Sequence, residues 1–198
     1  MKFSAWTTEK EPRWEWEKTK KVAVFAVDDK LSVPKSHVIG FIEKLLDEFA
    51  IPLDVIDGNL KHSEHLSLAK EILSNSMKND RIDYEQFEKE LRKVRNIGRL
   101  PYGIVILIDK ERYEFYNKPG QQQGIYGFGS VDGLVILRCT HKASVRHEFA
   151  HMLGLSHHHP PKQGCIMNWE CATPTFCDEC KRKIQETWED EIKQGRGN

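Results

Sequence analysis

The sequence predicts an α/β (α+β) fold, a single domain in which helices pack against one mixed, twisted sheet. Three observations lead there. Residues 22–27 and 103–109 are short, nearly continuous apolar runs, the pattern of strands buried on both faces. Between them lie stretches with apolar residues at steps of three and four, the repeat of a helix with one core-facing side. The resulting order of strand, helix, strand, helices, strands and helix suits one layered unit. With 198 residues, 39% of them hydrophobic, one sizeable core can form and a second is not required.

Taken in order, residues 1–21 are largely polar and charged but hold Trp6, Trp14 and Trp16. They read as an N-terminal arm whose indoles dock on the body, leaving 22–198 as the domain. The first strand, 22–27, ends at Asp28-Asp29. A helix follows, with Pro34 in its first turn and Val38, Phe41, Ile42, Leu45, Leu46 and Phe49 as an unbroken apolar stripe. Residues 52–58 form a weaker strand closing on the turn signal Asp57-Gly58. Helices are expected at 63–77 and 84–96, the second opened by Asp83 with Gln86 three residues on, and carrying Tyr84, Phe87, Leu91 and Val94 on one side. His62 and His65 read as a solvated helix start. The strand at 103–109 is the most apolar and belongs at the centre of the sheet.

Residues 110–123 are polar and read as a loop. The stretch 124–130 alternates glycine with larger residues, as a bulged or glycine-weakened edge strand or as one whose glycines let a substrate peptide backbone approach closely. Residues 133–138 make a further strand. A helix at 142–153 is anchored by Val145, Phe149 and Met152, and a last one at 179–193 repeats Cys180, Ile184, Trp188 and Ile192 at steps of four.

Thirty basic residues balance thirty acidic ones, so the chain carries no overall footprint for nucleic acid or an anionic membrane. No stretch approaches the roughly 18 apolar residues of a membrane span, and residues 1–10 lack an apolar signal region. A soluble, cytoplasmic monomer is expected. Of five cysteines, Cys165, Cys171, Cys177 and Cys180 cluster, which in such a compartment favours metal over disulfides. Cys139 stands apart and reads as a small buried residue.

The most informative stretch is His147-Glu148-x-x-His151-x-x-Gly154-x-x-His157. On a helix, residues four apart lie on one face a turn apart, so His147 and His151 can reach one ion. Gly154 can take positive φ and end the helix, and the reversed chain brings back His157. Three neutral imidazoles leave one corner of a tetrahedral Zn²⁺ open, the arrangement of a catalytic rather than a structural zinc. Glu148, beside the first ligand, is placed to act as general base toward a water at that corner. From this chain's own composition the five fixed positions would recur by chance in about one chain in ten thousand.

These residues resemble the zinc motif of the metzincin metallopeptidases, with Met167 in the place of the methionine of their Met-turn. Within that clan, Cys165-Ile166-Met167 followed by Cys177-x-x-Cys180 is similar to the archaemetzincins, over about residues 124–182. The resemblance implies a metzincin-like domain, with Met167 as an apolar floor below the metal rather than a ligand. It also implies substrate binding along the strand at 124–130. Two departures stand out. The position after the third histidine, a cysteine in archaemetzincins, is His158, and the spacing from Met167 to the Cys-x-x-Cys pair is shorter, with Cys171 inside it. Some metzincins place a tyrosine two residues past the methionine, where this chain has Trp169.

The function expected from these readings is zinc-dependent hydrolysis of peptide bonds in a peptide or protein substrate. His147, His151 and His157 would hold the metal and Glu148 would move the proton. A second, structural zinc is expected on Cys165, Cys171, Cys177 and Cys180, with His158 as the alternative to Cys171. Two other readings compete: a non-enzymatic zinc-stabilised binding protein, and a nucleic-acid-binding zinc module. Glu148 speaks against the first, since a closed structural site has no use for a base. Asp178 and Glu179 beside the Cys-x-x-Cys pair speak against the second.

Overall fold

Alternation along the strands divides the core into two layers. The computed structural model describes residues 19–28, 31–61, 63–96, 102–109, 114–115, 127–130, 133–138, 140–160, 162–168 and 175–195. Strand β1 (Lys21–Ala26) is followed by helix α1 (Lys35–Phe49), β2 (Asp54–Asp57), the single turn α2 (Gly58–Lys61) and α3 (Ser63–Asn75). Next come β3 (Met77–Lys78), β4 (Arg81–Ile82), α4 (Tyr84–Asn96), β5 (Gly103–Leu107), β6 (Glu114–Phe115), β7 (Gly127–Ser130) and β8 (Leu134–Leu137). Helices α5 (Lys142–Met152), α6 (Asp178–Thr187) and α7 (Glu189–Gly195) complete the described chain. None of the described helices is long and apolar enough to cross a membrane.

The main sheet runs β2-β1-β5-β8-β7, parallel throughout except for β7, which pairs antiparallel with β8. As expected, β5 is the central strand, and all five of its residues are buried. Val22, Val24, Val105, Leu107, Val135 and Leu137 face one side, where α1, α5 and α6 pack. Ala23, Phe25, Ile104, Ile106, Leu134 and Ile136 face the other, against α3 and α4. Both faces are therefore dry, which is why the central strands read as continuous apolar runs. Helix α1 buries Val38, Ile42, Leu45, Leu46 and Phe49 of its predicted stripe, each worth roughly 1.5–3 kcal/mol.

The structure departs from the sequence expectations in a few places. A three-stranded sheet, β3-β4-β6, was not foreseen, and Glu114–Phe115 is a strand inside what reads as a loop. The expected helix at 179–193 is two segments meeting at Trp188, although Trp188 N–H still donates to Ile184 O and Ile192 N–H to Trp188 O. Trp188 is buried there, and its indole N–H reaches Leu153 O at 3.3 Å. That contact ties the last helices to the end of α5. Lys21 belongs to β1, while residues 1–18 of the expected arm lie outside the described residues, as do His62 and Cys139. His65 is not simply solvated, because its ring hydrogen-bonds the Tyr102 hydroxyl.

Candidate metal centres

Helix α5 is set directly on the edge strand. Val145, Phe149, Ala150 and Met152 are buried beneath it, and Arg146 on its flank pairs with Glu48 of α1 at 2.7 Å. Close approach to β7 depends on two glycines. A Cβ on Gly127 would lie 2.6 Å from Cγ of Glu148, and one on Gly129 would lie 2.8 Å from the Glu148 carbonyl carbon and 3.0 Å from Cβ of His151. The backbone that comes close to Gly129 is thus that of α5, while Gly127 faces the Glu148 side chain. Helix packing against Gly127 and Gly129 was not among the readings of the 124–130 glycines.

The helix ends as Gly154 predicts. Gly154 has φ +97°, its N–H donates to His151 O at 3.0 Å, and the Leu155 N–H donates to Ala150 O at 3.0 Å. These are the paired bonds of a Schellman turn, and buried Leu155 supplies its apolar contact. The chain reverses and brings His157 back over the helix. Its Nε2 lies 3.0 Å from Nε2 of His147 and 3.2 Å from Nε2 of His151.

Backbone carbonyls fix which nitrogen of each helix-borne ring is bare. Nδ1 of His147 donates to Ile166 O at 2.7 Å, and Nδ1 of His151 donates to Leu155 O at 2.8 Å. A carbonyl can only accept, so in the neutral rings both Nε2 atoms carry lone pairs, and both point at the same place. Burial lowers the pKa of all three rings, to about 4 for His151 and about 3 for His157, the latter two also through the neighbouring histidines. At neutral pH the set is an uncharged nest of donors. Ligand atoms around one tetrahedral Zn²⁺ with Zn–N of ~2.0–2.1 Å stand ~3.3 Å apart, so the observed separations fit a cation at the centre.

Glu148 lies half-buried between α5 and β7. Burial lifts its carboxyl to about 8 in the metal-free chain, opposed by a hydrogen bond donated from the Gly129 N–H. That backbone donor was missed from the sequence, where only alternating glycines signal it.

A second donor set adjoins the first. Cys165, Cys177, Cys180 and His158 have their ligand atoms clustered, with Cys165 Sγ 3.7 Å from Cys180 Sγ and His158 Nε2 3.4 Å from Cys177 Sγ and 3.2 Å from Cys180 Sγ. A disulfide needs about 2.0 Å, whereas sulfurs sharing a tetrahedral zinc at ~2.3 Å stand ~3.8 Å apart. These separations therefore fit a shared ion. Burial raises the Cys180 pKa in the metal-free chain, reinforced by Cys165, so an ion would have to displace its proton. Among the described residues the fourth member of this set is His158, the alternative to Cys171. Cys171 and Trp169 lie outside the described residues.

The structure thus brings two groups together, His147-His151-His157 and His158-Cys165-Cys177-Cys180, each able to hold a metal ion. Met167 is fully buried in the core just after Ile166. No family model matches the sequence, and a search of curated proteins finds no match.

Proposed function

We propose that the protein is a zinc metallopeptidase of archaemetzincin type, with zinc in both centres. The observation that carries this reading is the convergence of three Nε2 atoms, two with their proton position fixed by carbonyls, beside a glutamate on the same helix. His147, His151 and His157 would hold the catalytic ion. When bound, zinc supplies a Lewis acid that polarises a carbonyl and acidifies water. Glu148 takes the proton from the attacking water and returns it to the leaving amine. The Gly129 N–H keeps one end of that carboxylate in place, and the Ile166 and Leu155 carbonyls hold two of the rings in register. No covalent intermediate is needed.

Substrate is taken as an extended chain along β7. This strand ends the sheet, and its outer edge pairs with no strand among the described residues, the position at which an extended peptide adds to a sheet. The Cys165, Cys177, Cys180 and His158 set offers four protein ligands and no open corner, so it serves structure rather than hydrolysis.

The test is incubation of the zinc-loaded protein with an unbiased peptide library, read by mass spectrometry with and without a chelator. Cleavage that stops on chelation and returns with zinc supports the reading. Metal binding without any cleavage would instead support the non-enzymatic zinc-stabilised protein.

A further inference from the structure

The two donor sets share the chain at two junctions. His157 and His158 are consecutive, with Cα atoms about 3.8 Å apart, so a single peptide unit carries a ligand of each set. At the second junction, the Ile166 carbonyl that holds His147 belongs to the residue directly after Cys165. These junctions are also tied to each other. The His158 N–H donates to Met167 O at 3.2 Å, and the Ile166 N–H donates to Thr175 O at 2.7 Å, two residues ahead of Cys177. The Cys177 N–H in turn points at Cys165 Sγ, 3.4 Å away.

Support for the three histidines is unequal. His147 and His151 project from α5, which is held by its own ladder of bonds and by packing on α1, β7 and β8. His157 lies in the irregular stretch at 155–158, outside any helix or strand. The bond from His158 to Met167 anchors its C-terminal side.

We propose that the Cys165-Cys177-Cys180-His158 centre is a positioning site for the three-histidine centre. With its ion in place, His158 and Cys165 hold His157 and the Ile166 carbonyl in register. Without it, the first centre falls back on its two helix-borne ligands. The inference rests on both sets taking metal, as proposed above, but not on hydrolysis. Losing an outer partner of a metal-bound histidine costs about 10–100-fold in affinity, and a weakening in that range is expected here. Because linkage is reciprocal, filling the three-histidine centre tightens the other by the same factor.

The experiment measures Zn²⁺ affinity of the three-histidine centre by competition with a chelator of known strength. It compares the parent with Cys177→Ser, His158→Ala and His158→Cys, the last of which keeps four ligands in the second set. The first two should bind about 10–100-fold more weakly and His158→Cys should match the parent, all with unchanged far-UV circular dichroism. Since removing a ligand can prevent folding, the intact two-zinc protein is also treated with an organomercurial that caps thiolates. A zinc indicator that takes nothing from untreated protein reads the release. Coupling predicts that one ion leaves outright and that a competing chelator then draws off the other about 10–100-fold more readily than from untreated protein. A remaining ion held as tightly as before, unchanged affinity in folded Cys177→Ser, or a fully loaded parent holding a single zinc would each overturn the proposal. Activity is assayed separately, so a coupled but inactive protein would retire the peptidase reading and leave this one standing.

Discussion

At the scale of single residues, His157 is the candidate ligand whose identity depends most on register. Its neighbours His158 and His159 are equally capable imidazoles, and only the turn at Gly154 decides which of the three returns to the helix. The two bonds of that turn fix the register, and Nε2 of His157 then meets Nε2 of His147 and His151. His157→Ala should therefore lose most of the zinc in the first centre, and His159→Ala should keep it, as read by metal analysis of the folded variants. Retention in His157→Ala with loss in His159→Ala would mean that the turn has another register. This part of the site was legible in the sequence, because the spacing of histidines and glycine is itself the geometry. The carbonyls of Ile166 and Leu155 and the N–H of Gly129 were not, since every residue type carries such groups and only the fold says where they point.

At the scale of elements, the pairing of α5 with β7 places Glu148, the proposed general base. Phe128 packs into the opposite layer of the core, while Gly127 and Gly129 leave room for the helix. In Gly127→Ala the new methyl would meet the Glu148 side chain at 2.6 Å and Leu137 Cδ2 at 3.0 Å. Both are side chains and can yield, at an overpacking cost of about 1–3 kcal/mol. The Glu148 carboxylate moves with them, and a displacement near 1 Å can cost about 10²-fold in rate. The expected outcome is a folded variant with its zinc intact and kcat reduced by about that factor. A kcat equal to the parent's would show that this packing does not set the base. The alternating glycines were visible in the sequence, but their partner was not, because strand periodicity tells which residues share a face and not what covers it. The small sheet was missed for a different reason. Lys78-Asn79-Asp80-Arg81 turns with φ of 51° and 60° at Asn79 and Asp80, residue types that tolerate the left-handed region, between strands too short to show alternation.

At the scale of the whole molecule, the layered fold follows from apolar runs long enough to be read, and the expected strands and helices recur in that order with β3, β4 and β6 interposed. What sequence could not settle is which residue completes the cysteine set, since Cys171 and His158 are both close in the chain and both chemically able. The structure groups His158 with Cys165, Cys177 and Cys180. Fully loaded protein should then contain two zinc ions per chain, one for each donor set, and the same count in Cys171→Ser, whereas His158→Ala should lose metal. Loss in Cys171→Ser with retention in His158→Ala would return the fourth position to cysteine.

The central claim is that this site hydrolyses peptide bonds with Glu148 as the base, and the most direct measurement is the cleavage rate of zinc-loaded parent beside Glu148→Ala on the same peptides. General-base assistance is typically worth about 10²–10⁴-fold, so the variant should keep its fold and zinc content while its rate falls by that range. Equal rates from the two proteins would contradict the account.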